Sequence, residues 1–263
     1  MNQNDITQVT NHWRSVWRGS HYARASGGLG RFFRKLLVRC GGLSDNRFVL
    51  KAIIHKEIPE LKGLRILDAG AGTGLNSIAA ARQEARVTLM DIAPEALAIA
   101  RKYYEEQDLS ADYVEGSIFE MPFADETFDV VWNTGVLEHF QEDTRKVAVA
   151  EMFRVLKKGG TILTLNPNFN APVYRAMKER ADLRGEWQAG VEYPLQTLRD
   201  VAPSNCMITE YSRGLLMQFH FCKYLFPRSL RPAWIVFHEL FSCLTNPLNY
   251  LPGYLLVTVI KKP

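Results

Sequence analysis

The sequence has no apolar run that could cross a membrane and no secretory leader at its start. A transmembrane helix needs about 20 consecutive apolar residues, and no stretch of the 263 residues approaches that length. The opening MNQNDITQVTN is polar and lacks the apolar core of a signal peptide. We therefore expect a cytoplasmic protein without a transmembrane segment, and peripheral membrane contact stays open.

Cysteine is scarce and is not arranged to bind a metal. The four cysteines show neither C-x-x-C spacing nor paired histidines. This pattern predicts reduced, mostly buried thiols and no metal site. The four positions are Cys40, Cys206, Cys222 and Cys243.

The chain also lacks a dense block of lysine and arginine with interleaved aromatic residues. Its formal net charge is only +4, so composition does not require a nucleic-acid partner. With 47% hydrophobic residues, the chain is long enough for one well-buried domain with additions.

An apolar strand that ends in an acid and three alternating glycines is present at 65–74, RILDAGAGTG. Asp68 follows the strand, and Gly70, Gly72 and Gly74 leave no side chain between the backbone and a ligand. A helical stretch, 76–81, comes next. This arrangement predicts a nucleotide-type ligand site, although its G-x-G-x-G spacing differs from the G-x-G-x-x-G of dinucleotide folds.

Three further strands follow with polar residues at or near their carboxyl ends. The strand 87–90 delivers Asp91, in the position of an acid that accepts hydrogen bonds from ribose hydroxyls. The strand 113–115 leads into Gly116 and Ser117, and the strand 130–133 ends at Asn133. Residues 151–168 contain a predicted helix, a glycine pair that ends it, and a fifth strand.

Taken together, residues 65–168 resemble a class I S-adenosylmethionine (SAM) dependent methyltransferase of the small-molecule branch. The resemblance rests on the D-x-G-x-G-x-G turn, the Leu137-Glu138-His139 segment and the R-V-L-K-x-G-G helix end at 154–160. It implies an α/β fold, a Rossmann-like three-layer sandwich. Its seven-stranded, mostly parallel sheet has an antiparallel last strand, which is inserted between strands five and six.

The resemblance also assigns cofactor-binding residues for SAM. Those at the glycine turn and strand four approach the methionine part, Asp91 holds the ribose, and two apolar residues cover the faces of adenine. Ser117 departs from the pattern, because the family usually has an acid there. The assigned residues are Asp68, Gly70, Ala71, Gly72, Asp91, Ile92, Ser117, Ile118, Asn133 and Thr134.

His139 is the candidate catalytic base, and the sequence shows no acid that would orient it. Alignment of the acceptor can supply about 7–11 kcal/mol, whereas a positioned base adds a factor of about 10²–10⁴. A base is therefore optional, and the sequence favours a loss below about tenfold when His139 is removed. Glu138 is expected to be a solvated or capping acid, and Trp132 to belong to the core.

The remaining segments are predicted to decide the acceptor. Residues 1–62 form an N-terminal helical extension or lid, and residues 63–263 form the SAM-binding domain, with 168–205 and 214–252 as acceptor-side additions. The candidate acceptor contacts are aromatic or polar residues of these segments: Tyr22, Asn168, Tyr174, Trp187 and Tyr193.

Two of these additions have alternative interpretations. The basic amphipathic stretch 31–40 is compatible with a lid over the active site or with a helix that lies on an anionic membrane. The segment 214–252, rich in aromatic residues and leucine, is compatible with a helical pair that caps the core or with a wall of the pocket for a lipophilic acceptor.

The predicted reaction is methyl transfer from SAM to an oxygen, nitrogen or carbon nucleophile of a small aromatic or lipophilic acceptor. An NAD(P)-dependent oxidoreductase and a non-catalytic SAM-binding module are the alternatives. The oxidoreductase would need the wider glycine spacing of dinucleotide folds and a Tyr-x-x-x-Lys pair, and neither is evident in the sequence. The non-catalytic module would lack a cavity for the acceptor.

Overall fold

A computed structural model describes residues 3–19, 45–244 and 246–263 of the chain. Its centre is one seven-stranded sheet with the order β3-β2-β1-β4-β5-β7-β6. The first five strands run parallel, and β7 runs antiparallel between β5 and β6. The strands are β1 Arg65–Ala69, β2 Arg86–Asp91, β3 Asp112–Glu115, β4 Phe128–Thr134, β5 Leu156–Pro167, β6 Met207–Arg213 and β7 Leu255–Lys261.

In the described ranges, α-helices and three 3-10 helices connect and cover the strands. The 3-10 helices are Leu137–His139, Met217–Leu225 and Asn246–Tyr250. The α-helices of the described part are α1 Gln3–Gly19, α2 Asp45–Glu57, α3 Ile78–Ala81, α4 Pro94–Glu105, α5 Glu142–Val155, α6 Pro172–Leu183 and α7 Arg231–Leu244.

Successive strand residues face opposite sides of the sheet, and this alternation divides the core in two. Ile66 packs with buried residues of α2, α3 and α4, whereas its neighbour Leu67 packs with α5 and with 195–201. Apolar helix faces therefore cover both sides of the sheet. The three-layer α/β architecture, including the antiparallel β7, is confirmed.

The glycine pair after α5 lies elsewhere than the sequence indicates. The helix ends at Val155, before the glycines, and Gly159 and Gly160 lie within β5. The pairing of β4 with β5 shifts register here, and Gly159 has a φ of +73°. Gly160 has backbone atoms within 3 Å of where a Cβ would stand. The pair therefore forms an irregularity in the strand, where the backbone needs residues without side chains.

Candidate active site

A cavity of about 310 Å³ opens beyond the carboxyl ends of β1, β2 and β4. This is the edge at which ligands bind in open α/β sheets. Four segments line it: α1, the turn after β1, the loop after β3, and the segment from Thr134 to Phe140. The lining residues are Val9, Thr10, Trp13, Trp17, Gly70, Ala71, Gly72, Thr73, Asn76, Asp91, Ile92, Gly116, Ser117, Ile118, Phe119, Thr134, Gly135, Val136, His139 and Phe140.

The glycine turn forms the floor of this cavity and is pinned to β2. Gly70 N and Ala71 N donate to the Met90 carbonyl at 2.8 and 2.9 Å. Gly70 and Gly72 have φ of +80° and +54°, a region that L side chains rarely adopt. A Cβ on Gly70 would stand 2.7 Å from Val136 Cγ2. The turn thus brings bare backbone against the space where a ligand would lie.

Asp91 stands beside this turn, with its carboxylate held in place. Its Oδ2 accepts from Gly72 N at 2.7 Å, and its Oδ1 accepts from Ala93 N at 2.9 Å. Burial raises the pKa of Asp91, and these backbone hydrogen bonds oppose that effect. Each oxygen keeps acceptor capacity, so the carboxylate can hold a pair of ribose hydroxyls.

Asp68 is brought to the same end of the sheet but lies beneath the turn. The Ser77 hydroxyl donates to Asp68 Oδ2 at 2.5 Å, and Trp132 Nε1 donates to Ser77 Oγ at 3.0 Å. Burial raises the pKa of Asp68 to about 6. Asp68 is not among the residues that line the cavity, so its contact with a ligand stays a prediction. Trp132 is buried in the core, as expected.

The first helix closes one side of the cavity. Its residues Trp13 and Trp17 line the space, and Trp17 lies over the glycine turn, 3.2 Å from where a Cβ of Gly72 would be. Arg14 fastens the helix, since its guanidinium donates to the Ile92 carbonyl at 3.1 and 3.2 Å. It also pairs with Glu115 at 2.8 Å.

The predicted adenine end is partly assembled. Ile92, Ile118 and Ser117 all line the cavity, and the Ser117 hydroxyl accepts from Phe119 N at 3.2 Å. Its hydroxyl proton remains available to a ligand. Thr134 also lines the cavity, whereas Asn133 is fully buried behind it and stays a prediction as a cofactor contact.

His139 also lines the cavity and is oriented by a backbone group. Its Nδ1 lies 2.7 Å from the Val191 carbonyl, and its ring meets Trp13 edge-on at 5.4 Å. A carbonyl only accepts, so Nδ1 carries the proton and Nε2 keeps a lone pair. Burial lowers the pKa of His139. The ring is therefore neutral at pH 7 and can accept a proton at Nε2.

The expectation of a solvated Glu138 is wrong. The side chain is only 4% exposed, because the 3-10 helix turns it inward, and its Oε1 lies 3.8 Å from His139 Nε2. The nearby Arg145 guanidinium donates to three backbone carbonyls instead, those of Leu137, Tyr193 and Pro194. Burial raises the pKa of Glu138 to about 8, so this carboxyl is largely protonated at neutral pH.

The structure does not bring the predicted acceptor contacts to this cavity. Tyr22 lies outside the described residues. Tyr174 is fully buried and donates from its hydroxyl to Glu192 at 2.6 Å, and Trp187 packs on its ring. Tyr193 N donates to the Glu138 carbonyl at 2.7 Å. None of these lines the cavity, and their acceptor role stays a prediction.

Asn168 has a structural position, because its amide joins two neighbouring segments. Its Nδ2 donates to Ser212 Oγ at 2.9 Å and to the Gly253 carbonyl at 3.2 Å. The described residues of 214–252 are likewise absent from the lining of this cavity. The predicted acceptor wall there has no support from the geometry.

Several cavity residues were not predicted from the sequence. Val9, Phe119 and Phe140 are apolar residues that share no motif, and only folding brings them together. Gly135 had a detectable signal, because a glycine directly after the end of strand four indicates an unusual backbone conformation, and its φ in the structure is +69°. Trp13 and Trp17, four apart on one helix face, belong to the N-terminal segment 1–62 that the sequence assigned to an extension or lid.

Metal and membrane-spanning features are absent from the described part of the chain. There, no group of three histidine, cysteine or acidic side chains could hold a metal ion. Within the same ranges, no helix combines the length and apolarity that crossing a membrane requires. Cys206 and Cys222 are free thiols, and Cys40 and the side chain of Cys243 lie outside the description.

Comparison with known proteins identifies similar sequences and folds. A family model described as a methyltransferase domain matches residues 67–164. The chain is 47% identical over 79 residues to a ubiquinone biosynthesis O-methyltransferase of Methylocella silvestris, covering 30% of this chain and 31% of that protein. It is 36% identical over 113 residues to the ubiquinone biosynthesis O-methyltransferase of Azorhizobium caulinodans, covering 43% and 40%. The chain therefore spans less than half the length of these relatives.

A solved structure resembles a larger part of the chain. The PH0226 protein from Pyrococcus horikoshii aligns over 95% of this chain and 99% of its own, with a TM-score of 0.58 and 15% sequence identity. At that identity the likeness concerns the fold.

Proposed function

We propose that residues 67–164, which match a family model described as a methyltransferase domain, form a class I SAM-dependent methyltransferase domain, and that the whole protein methylates a small acceptor. The acceptor that the cavity suits best is an aromatic or lipophilic molecule with a phenolic hydroxyl. The main observation behind this proposal is that the glycine turn, Asp91 and His139 line the same cavity. The residues that would bind the cofactor and the base that would accept a proton therefore face the same space.

The residues present fit the cofactor. Asp91 offers two fixed carboxylate oxygens to ribose hydroxyls, and Ile92 and Ile118 offer apolar surfaces for adenine. The bare backbone of Gly70 and Gly72 leaves room for the methionine part. SAM, when bound, supplies a methyl group that its sulfonium makes electrophilic. The protein has to align the acceptor and exclude water.

An oxygen nucleophile is favoured by the state of His139. A phenol has a pKa near 10 and becomes a much better nucleophile when a base takes its proton. His139 is neutral and held by the Val191 carbonyl, and its Nε2 can take that proton. A neutral amine needs no such base before it attacks. The name of the two relatives, O-methyltransferase, supports the same choice.

The cofactor assignment is tested by calorimetry with SAM and with its demethylated product. We expect both to bind, and Asp91→Ala to weaken binding at least about tenfold. Each lost charge-assisted hydrogen bond contributes about 1.5–3 kcal/mol. Asp112→Ala, an exposed acid on the neighbouring strand β3, is the matched control and should leave the affinity unchanged. Tighter binding of NAD than of SAM would reject the assignment.

The acceptor is identified with isotope-labelled SAM. The protein is incubated with a host extract, and labelled products are detected by mass spectrometry. We expect a labelled methyl group on a phenolic oxygen of an apolar compound. A label on nitrogen or carbon would contradict the proposed acceptor class, and a protein that binds SAM but labels nothing would favour a non-catalytic module.

A further inference from the structure

Exposed apolar side chains are concentrated on one stretch of the chain. Twelve large apolar side chains are exposed in the described part, and nine of them lie between residues 219 and 251. Soluble surfaces usually scatter such residues singly, and a contiguous apolar patch marks an interaction site. The nine are Phe219, Leu225, Leu230, Val236, Phe237, Phe241, Leu248, Tyr250 and Leu251.

The centre of this surface is one face of α7. Leu230, just before the helix, is followed by Phe237 and Phe241 at intervals of seven and four residues, which places all three on the same face. The Phe237 and Phe241 rings are stacked, with centroids 6.1 Å apart, and Trp234 flanks Phe237 at 5.7 Å. We call Leu230, Phe237 and Phe241 the aromatic face.

The side of α7 next to this face is docked on the protein. It carries Trp234, which is half-buried and donates from Nε1 to the Phe219 carbonyl at 3.2 Å, and the buried His238, whose Nε2 lies 2.9 Å from the Leu216 carbonyl. The aromatic face is turned outward, with Phe237 57% exposed. The helical pair that caps the core stays a prediction for this segment.

Charge around the aromatic face is mainly positive. Residues 219–251 contain three lysines and arginines, Lys223, Arg228 and Arg231, and a single acid, Glu239. Glu186, from outside this segment, pairs with Arg228 at 3.4 Å and with Arg231 at 2.6 Å, so one acid meets two cations there. The side chain of Arg228 is 79% exposed. Apolar rings flanked by cations are the composition of protein segments that lie in the headgroup region of an anionic bilayer.

A recess with two more cations adjoins the same surface. It has a volume of about 210 Å³ and lies between α2, β6 and the 3-10 helix that carries Tyr250. Lys56 and Arg213 stack on the Tyr211 ring, 4.0 and 4.7 Å from its centroid. One acid lies beside them, since Glu57 pairs with Lys56 at 2.8 Å and accepts from the Tyr211 hydroxyl at 2.7 Å. Asn249 lines the recess and is 1% exposed, and its Nδ2 has no hydrogen-bond partner among the described residues.

We propose that the aromatic face and the 3-10 helix 246–250 dock onto an anionic lipid bilayer, and that the recess receives a lipid phosphate. Lys56, Arg213 and the Asn249 amide offer donors to phosphate oxygens, and the recess walls, Val49 and Ile53, are apolar. The 14-residue α7 is about 21 Å long, shorter than the ~30 Å core of a bilayer, so it lies along the surface.

A second copy of the chain fits this surface less well. A two-fold contact through the aromatic face would place equivalent cations, Arg228 among them, near one another. An anionic bilayer accepts the rings and neutralises the cations together. The proposal goes beyond methyl transfer and does not depend on it.

Sedimentation with vesicles tests the proposal on the full chain. We expect binding to vesicles that contain phosphatidylglycerol, weaker binding to phosphatidylcholine alone, and loss of binding at high salt. Phe237→Glu should lower the affinity at least about tenfold, because a charge replaces a ring in the apolar layer. Leu183→Glu is the matched control: Leu183 is 83% exposed on α6, and its replacement should leave vesicle binding unchanged.

Arg213→Glu tests the recess separately and should lower the preference for phosphatidylglycerol by several-fold. Each variant should bind SAM like the wild type, which shows that it is folded. Equal binding to both vesicle types, or a Phe237→Glu protein that still binds, would overturn the proposal. A dimer in light scattering that Phe237→Glu dissociates, without vesicle binding by the wild type, would assign the face to a second copy.

Discussion

At the scale of single residues, the site combines acids whose surroundings differ. Asp91 borders the cavity and receives two backbone hydrogen bonds, whereas Asp68 and Glu138 are buried behind the lining. Burial raises the pKa of all three acids. Of the three, Asp91 alone lines the cavity, so it is the acid placed to meet a ligand, and a ligand contact of Asp68 stays a prediction.

His139 is the residue for which the structure changes the expectation most. The sequence showed no orienting group, but the Val191 carbonyl holds Nδ1 and leaves Nε2 to accept a proton. We predict that His139→Ala lowers kcat by about 10²–10⁴, the contribution of a positioned base. SAM affinity should change much less, and calorimetry on the same preparation checks this.

The pH profile distinguishes a base from a packing residue. Because burial lowers the pKa of His139 below 6.5, the wild-type rate should be flat near neutrality and fall only at lower pH, where the imidazole becomes protonated. The His139→Ala protein should lack this acidic limb. If its loss is below about tenfold and its profile matches the wild type, alignment alone carries the reaction.

At the scale of elements, α1 determines whether the cavity is closed. It supplies Trp13 and Trp17 to the lining, and it is fastened by Arg14 to the Ile92 carbonyl and by Arg18 to Glu95. These contacts join the helix directly to the turn after β2. Cofactor binding and closure of α1 should therefore be coupled.

We predict that Arg14→Ala accelerates SAM dissociation roughly three- to tenfold. The partly exposed Arg14 contacts contribute about 1 kcal/mol after solvent screening, and both tryptophans remain in place. Stopped-flow measurement of tryptophan fluorescence gives the rate. Arg82→Ala, which removes an exposed contact with Gln107 away from the lid, should behave like the wild type. Equal rates for all three proteins would show that α1 does not control release.

At the scale of the whole molecule, buried acids make stability depend on pH. Glu138 has its pKa raised to about 8 in the folded state, against about 4.3 in an unfolded chain. Between these values the folded state keeps a proton that the unfolded state releases. The free energy of unfolding should therefore fall as pH rises through this window and level off above it.

We predict that Glu138→Gln reduces this loss of stability at alkaline pH. The free energy of unfolding of both proteins is measured with denaturant at pH 5 and at pH 8.5. The difference between variant and wild type should shift in favour of the variant by more than about 1.4 kcal/mol at pH 8.5, which is the equivalent of one pKa unit. Glu60→Gln, at an exposed position, serves as the control. Parallel pH dependence of wild type and Glu138→Gln would contradict the buried, protonated acid.

The sequence by itself determined the sheet and the cofactor end of the site, because these depend on local patterns. Apolar strands, the glycine turn and Asp91 follow one another along a short stretch, and parallel strands bring their carboxyl ends to one edge. Even the antiparallel β7 could be predicted, although from a family resemblance and not from the residues alone.

Only the tertiary structure decided the acceptor end and the outer surface. Val191 reaches His139 from 52 residues away, and Tyr193 N, on the same long connection, donates to the Glu138 carbonyl. Neither contact has a periodic or motif signal, since each depends on how a long connection folds back. The aromatic face of α7 has the same composition as a core helix, and only its packing shows which side is exposed.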